Sequence, residues 1–219
     1  MQDTVDRKHL AQLAQVCGAT VPQTALEPLA CYLEMLCRWN AAMNLVGARS
    51  WREIWGRLVV DSFHLADFLQ VLPLPAAPLC WDLGSGAGLP GIPLRMAFTR
   101  GQYYLVEARE KRAIFLSSTL RRLRLQNTHV FHGRAEHFFQ SQPHKAHCII
   151  SRAFMPWQDV LTLTRSHLDE HGLVIIMALE PIPESLPRGW SAAGMHPYMA
   201  ADDRRWLWAI SPTSATGGV

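Results

Sequence analysis

Residues 82–91 read DLGSGAGLPG and join a short apolar run at 79–83 to a helical pattern that begins near Gly91. Glycines at alternate positions let the backbone turn sharply and approach another molecule without Cβ interference. A strand feeding such a loop and then a helix opens a βαβ unit. The chain beyond repeats that alternation. Apolar runs at 103–107, 128–131, 148–151 and 173–177 predict strands, with helical patterns at 111–124 and 156–168 between them. Ala113, Leu116, Leu120 and Leu123 share one face of the first of those helices. A last run at 206–210 is expected as a strand at the sheet edge or in a terminal hairpin. This pattern implies an α/β, Rossmann-like fold whose mostly parallel sheet is flanked by helices.

The N-terminal part reads differently. Leu10, Leu13 and Val16 recur at helical spacing before a stop at Gly18. Thr24 and Glu27 have the capping-box spacing ahead of a helix lined by Leu26, Leu29, Leu33, Leu36 and Trp39, with Pro28 near its start. Ser50 and Glu53 repeat that spacing before a third helix carrying Ile54, Leu58, Leu65 and Leu69. Pro73, Pro75 and Pro78 then form a stiff connector. The expected division is a helical subdomain at 1–72, a connector at 73–78 and an α/β domain at 79–219.

With 219 residues, 49% of them hydrophobic, the chain can bury a substantial core. No apolar run reaches eighteen residues, and the start, MQDTVDRK, lacks the apolar stretch of a leader. A cytoplasmic protein without a membrane partner is expected. Five scattered cysteines without a CxxC pair read as buried thiols. His129, His132, His137, His144 and His147 cluster without partner cysteines or HExxH spacing, so no metal site is expected.

The net charge of +3 does not by itself indicate nucleic acid, but its distribution is suggestive. Arg109, Lys111, Arg112, Arg134 and Arg152 fall mid-chain, where they can border one site, whereas Arg121, Arg122 and Arg124 read more simply as a solvated helix face. Trp39, Trp51, Trp55 and Trp157 likewise read as core before base-stacking residues.

The loop spacing is DxGxGxG rather than GxGxxG, and no GxxxxGK is present. Glu107 closes the second strand, where a carboxylate can accept from both hydroxyls of a ribose. A nucleoside cofactor satisfies both features. Asp82 near the loop and the backbone at Gly84, Gly86 and Gly88 favour the amino acid end of S-adenosylmethionine over a pyrophosphate. An NAD-dependent oxidoreductase stays open on the residues alone.

The chain resembles the 16S rRNA guanine-N7 methyltransferase family, also called glucose-inhibited division protein B, over about residues 32–177. The similarity rests on Trp39-Asn40 and Asn44-Leu45 (WNxxxNL), and on Arg57, Asp61 and Ser62 (RHxxDS). It continues through GSGAGLPGIP at 84–93, Lys111-Arg112 with Phe115-Leu116, Arg134-Ala135-Glu136, and ISRAF at 150–154. The resemblance implies a class I methyltransferase fold with a seven-stranded sheet. It further implies methyl transfer to guanine 527 in standard small-subunit numbering, on 16S rRNA or the small ribosomal subunit, by a monomer.

On that resemblance Gly84, Leu89, Ala135, Glu136 and Arg152 meet the cofactor or its surroundings, and Arg152 and Arg134 serve catalysis. Arg57, Arg109, Lys111, Arg112 and Arg134 are the expected RNA contacts. Leu58 stands where the family has histidine, Val46 where it has threonine, and no lysine follows the fifth strand near Ala178 and Leu179. A non-catalytic rRNA-binding or assembly protein on the same fold is the alternative these departures favour.

Overall fold

A computed structural model describes residues 4–213. Residues 1–3, the beginning of the segment read as lacking a leader, lie outside the described residues. Seven strands form one sheet: β1 Leu79–Leu83, β2 Gln102–Glu107, β3 Thr128–His132, β4 Ala146–Ser151, β5 Leu168–Ala178, β6 Trp190–Ala200 and β7 Asp203–Pro212. Their spatial order is β3-β2-β1-β4-β5-β7-β6. The first five strands pair in parallel, and β7 runs antiparallel to both β5 and β6.

Side-chain alternation along β1 assigns the two faces of the sheet. Cys80 packs toward the N-terminal helices, whereas Trp81 and Leu83 pack toward Phe138, Phe139, Val160 and Leu161. The second face is covered by α7 Ala135–Ser141 and α8 Trp157–Thr164; the first receives α5 Gly91–Ala97 and α6 Glu110–Leu123. Because β1 pairs with β2 on one side and β4 on the other, the chain reverses its direction of travel across the sheet there. That reversal opens a crevice above the carboxyl ends of β1 and β4.

The N-terminal helices are α1 Arg7–Val16, α2 Leu26–Met43, α3 Trp51–Ile54 and α4 Val60–Val71, with a π turn at Trp55–Val59 linking the last two. Nine of the twelve residues of α4 are buried, among them Asp61, Ser62 and His64. A helix buried on so many of its positions is covered on nearly every side. Here one continuous core runs from Leu29, Leu33 and Phe63 to Leu94, Tyr103 and Leu207. The segment 73–78 has no helix or strand. No helix among the described residues is long and apolar enough to cross a membrane.

Three local expectations need correction. Thr24 does not cap α2: residues Gln23–Ala25 form a 3-10 turn after Pro22, and Ala25 occupies the cap position without a side-chain bond. Pro28 then falls in the first helical turn, where its missing N–H has no partner to lose. The helix expected at 156–168 is α8, which ends at Thr164, and a 3-10 turn, Arg165–His167, leads directly into β5. Finally, β6 was not anticipated. It is one of the two edge strands, its exposure is mixed, and it contains Gly194 and Pro197, which edges tolerate and sequence patterns penalise. Ser50 does cap α3, its Oγ accepting the Glu53 N–H at 3.2 Å.

Candidate active site

The loop after β1 is pinned to the end of β2. The amides of Gly84 and Ser85 donate to the Val106 carbonyl at 2.9 and 3.1 Å, and Ser85 Oγ donates back to the Asp82 carbonyl at 2.8 Å. The loop glycines have different physical reasons. A Cβ on Gly88 would overlap Ile92 and press on Leu116, so core packing as well as its φ of +82° requires this glycine. A Cβ on Gly86 would meet nothing closer than 3.7 Å, yet its φ of +59° is left-handed. Backbone conformation and the open crevice, rather than a protein neighbour, account for Gly86.

Glu107 is buried against this loop. Its Oε2 accepts the Gly86 N–H at 2.9 Å and its Oε1 accepts the Arg109 N–H at 2.7 Å. A carboxylate has about four acceptor sites, so each oxygen keeps capacity for a further donor. The Gly133 N–H donates to the Glu107 carbonyl at 3.0 Å, which brings the start of α7 to the same place. Arg134 and Glu136 are exposed there, and Ala135 is buried between them.

Asp82, Gly88 and Leu89 do not open onto the crevice. Strand alternation turns Asp82 inward with Cys80, leaving it 1% exposed between Gly91 and Tyr103. Burial pushes its carboxyl up to about 7; the Gly91 amide and Tyr103 hydroxyl oppose this, but neither closes a hydrogen bond on Oδ2. Leu89 belongs to the core shared with the N-terminal helices. These three support the loop from beneath. The half-exposed backbone at Gly84 and Gly86, with the spare acceptors of Glu107, fits a nucleoside hydroxyl pair joined to an amino acid end.

A second cluster lies beside the end of β4. Arg152 forms an ion pair with Asp61 Oδ2 at 2.8 Å and donates to the Leu58 carbonyl at 3.1 Å. Arg205, on β7, reaches both oxygens of Asp61 at 2.9 and 2.8 Å and the Arg57 carbonyl at 2.7 Å. The Tyr198 hydroxyl donates to the same carboxylate at 3.0 Å. The π turn supplies the two carbonyls, an example of a widened turn placed at a special site. Two guanidinium groups therefore face one carboxylate. Beside them is a cavity of about 360 Å³, lined by Arg57, Leu58, Leu179 and both arginines.

Sequence reasoning missed Arg205 and Tyr198. The available signal was Asp61 itself, because an acid among the apolar residues Val59, Val60, Phe63 and Leu65 must find partners if it is buried. Of the expected RNA contacts, Arg109, Lys111 and Arg112 share a cavity of about 420 Å³ with Asn44. Arg57 is exposed and pairs with Glu53 at 2.9 Å. Trp51 and Trp55 are core, and Trp39 packs edge-on against Phe115.

The fold resembles that of an O-methyltransferase from Bacillus cereus solved in complex with SAH, with a TM-score of 0.63 at 15% identity, covering 93% of this chain and 97% of that one. A putative O-methyltransferase from Klebsiella pneumoniae gives 0.59 at 16% identity, with 94% and 97% covered. In sequence, the family model GidB, rRNA small subunit methyltransferase G, matches residues 25–180. The ribosomal RNA small subunit methyltransferase G of Nitratidesulfovibrio vulgaris (strain DP4) is 49% identical over 208 residues, 95% of each chain. That of Lawsonia intracellularis is 43% identical over 214 residues, 94% of this chain and 96% of the relative. With a glycine crevice at the switch point and this likeness along nearly its whole length, the chain belongs to the rRNA small subunit methyltransferase G family.

Proposed function

We propose that this protein methylates the N7 of a guanine, position 527 in standard numbering, in 16S rRNA. The observation that carries the reading is the adjacency of two parts: a backbone crevice closed by Glu107, and Arg152 held rigidly at the end of the neighbouring strand. S-adenosylmethionine, when bound, supplies a sulfonium methyl group. Glu107 offers its free acceptor sites to ribose hydroxyls, and the loop from Gly84 to Gly86 lies against the amino acid end.

Guanine N7 carries a lone pair in its neutral form, so the protein has no proton to remove. Its task is alignment and management of charge. Arg152 gives one N–H to the Leu58 carbonyl and is ion-paired to Asp61, and its remaining N–H donors are available to a base edge or phosphate. Guanine O6 is the suitable acceptor, because donation to N7 would occupy the reacting lone pair. N7 methylation puts positive charge on the base, and Asp61 offsets one of the two guanidinium charges nearby. Arg134, exposed at the start of α7, would contact a flanking phosphate. An N7 within a paired RNA helix is poorly reachable, so an unpaired or splayed guanine is the substrate.

The test is methyl transfer from labelled donor to small-subunit particles that lack the modification, followed by digestion to nucleosides. 7-Methylguanosine is expected; a different methylated nucleoside would overturn the reading. Calorimetry on the same preparation should show S-adenosylhomocysteine binding without comparable NADH binding. Cofactor binding without turnover would instead favour an assembly role for the protein.

A further inference from the structure

Three cavities meet along the loop between α2 and α3. The first lies at the start of α6 and includes Asn44; the second, of about 510 Å³, includes both Asn44 and Gly47; the third is the arginine cavity and includes Gly47. Asn44 is common to the first two and Gly47 to the last two, so the three cavities adjoin in a row. The first lining holds three cationic side chains and the third holds three, with Arg49 in the second between them, while Glu110 is the single acid in all three linings.

The floor is built rather than slack. Asn40 Nδ2 donates to the Ala48 carbonyl at 2.8 Å, and its Oδ1 accepts the Val46 N–H at the same distance. Asn44, left-handed at φ +49°, ends α2 with its N–H on the Asn40 carbonyl at 3.1 Å. Each cavity falls within the roughly 300–1,000 Å³ range of small-ligand sites. A braced, cationic trough with separate pockets suits an extended polyanion whose bases are unstacked.

We infer that loop 44–49 is the floor of a track for single-stranded RNA, running from the Lys111 side of the crevice to the pocket of Arg152 and Arg205 and guided by Arg49 between them. The inference rests on the methyltransferase reading and adds the path of the strand. Leu179, 72% exposed at the last pocket, gives a flanking base an apolar wall. Arg49 is exposed midway, where one phosphate can pass. Duplex RNA, with its phosphates on two rigid strands, does not follow such a trough.

Gly47 allows a selective test, because a Cβ there meets nothing within 4 Å. Gly47→Phe should fill the junction of two cavities without disturbing the fold. Fluorescence anisotropy with a labelled single-stranded decaribonucleotide should show binding weakened about tenfold or more, with S-adenosylhomocysteine affinity within about twofold of wild type. Arg49→Glu, at an exposed position, should weaken it as well, and Arg49→Ala should lower the salt slope by about 0.7, the value for one phosphate contact on a single strand. Unchanged single-strand binding in Gly47→Phe and Arg49→Glu, or wild-type preference for the matching duplex, would overturn the track. The methyltransferase reading fails separately: wild type would then make no 7-methylguanosine even though the oligonucleotide results stand.

Discussion

The crevice after β1 is made mostly by neighbours in sequence, whereas the cluster beside it joins Asp61 to Tyr198 and Arg205 across 137 and 144 positions. The crevice works through backbone: glycines, amides pinned to β2, and one carboxylate with acceptor capacity to spare. The cluster works through charge: two guanidinium groups, a buried acid and a π turn that offers carbonyls. On the proposed reading the difference separates two tasks: holding a small constant molecule needs a local shape, while orienting a base on a large RNA needs donors fixed by the whole fold.

The largest effect should come from breaking the cluster. Asp61→Ala leaves Arg205 buried and Arg152 partly buried without the carboxylate they share, which costs about 3–5 kcal/mol of stability by the usual behaviour of buried pairs. Denaturant unfolding measures this, and a loss below about 1 kcal/mol would show the ion pairs to be solvated in solution.

The core beneath the crevice holds a charge effect of the opposite kind. Asp82 has an ordinary value of 3.8 unfolded and about 7 folded. Its contribution to stability is therefore intact below about pH 4 and is lost as pH rises through 7. One pKa unit corresponds to about 1.4 kcal/mol, so the loss approaches about 4 kcal/mol at most. Asp82→Asn removes it. The stability of the variant relative to wild type should increase between pH 4 and pH 8, and a flat difference would mean that water reaches the carboxylate.

Arg152→Ala comes next. It should lower kcat/KM about a hundredfold, equivalent to about 2.7 kcal/mol of transition-state stabilisation, with little change in S-adenosylhomocysteine affinity. Arg152→Lys restores charge but not the planar fork, so it should rescue only part. Near-normal turnover in Arg152→Ala would leave the residue as a partner of Asp61 alone.

The smallest and most discriminating pair is in the loop. Gly86→Val puts a β-branched side chain at φ +59°, a strain of about 1–3 kcal/mol, and fills the crevice. Cofactor binding should be lost while the protein stays folded. Gly88→Val carries the same kind of backbone strain at φ +82° and in addition collides with Ile92 and Leu116, so it should lower the thermal midpoint more. Equal behaviour of the two variants would erase the distinction between a crevice glycine and a packing glycine.

The sequence was legible where contacts are local. The bounds of β1, the glycine loop and Glu107 follow from short patterns, and Ser50 caps α3 as its spacing implies. It was illegible where parity or distance decides. Asp82 looked like a ligand because it precedes the loop, but alternation along β1 turns it into the core. Arg205 carried no motif, and β6 was hidden by its glycine and proline. Arg152 was identified from the ISRAF segment, but its partner on α4 lies 91 residues earlier and could be found only by folding the chain.

The most direct measurement is mass mapping of modified nucleotides in 16S rRNA from cells with and without this protein. The account predicts one 7-methylguanosine, at an unpaired guanine, lost on deletion and restored by wild type but not by Arg152→Ala. An unchanged modification map, or loss of a methyl group from any other atom, would contradict it.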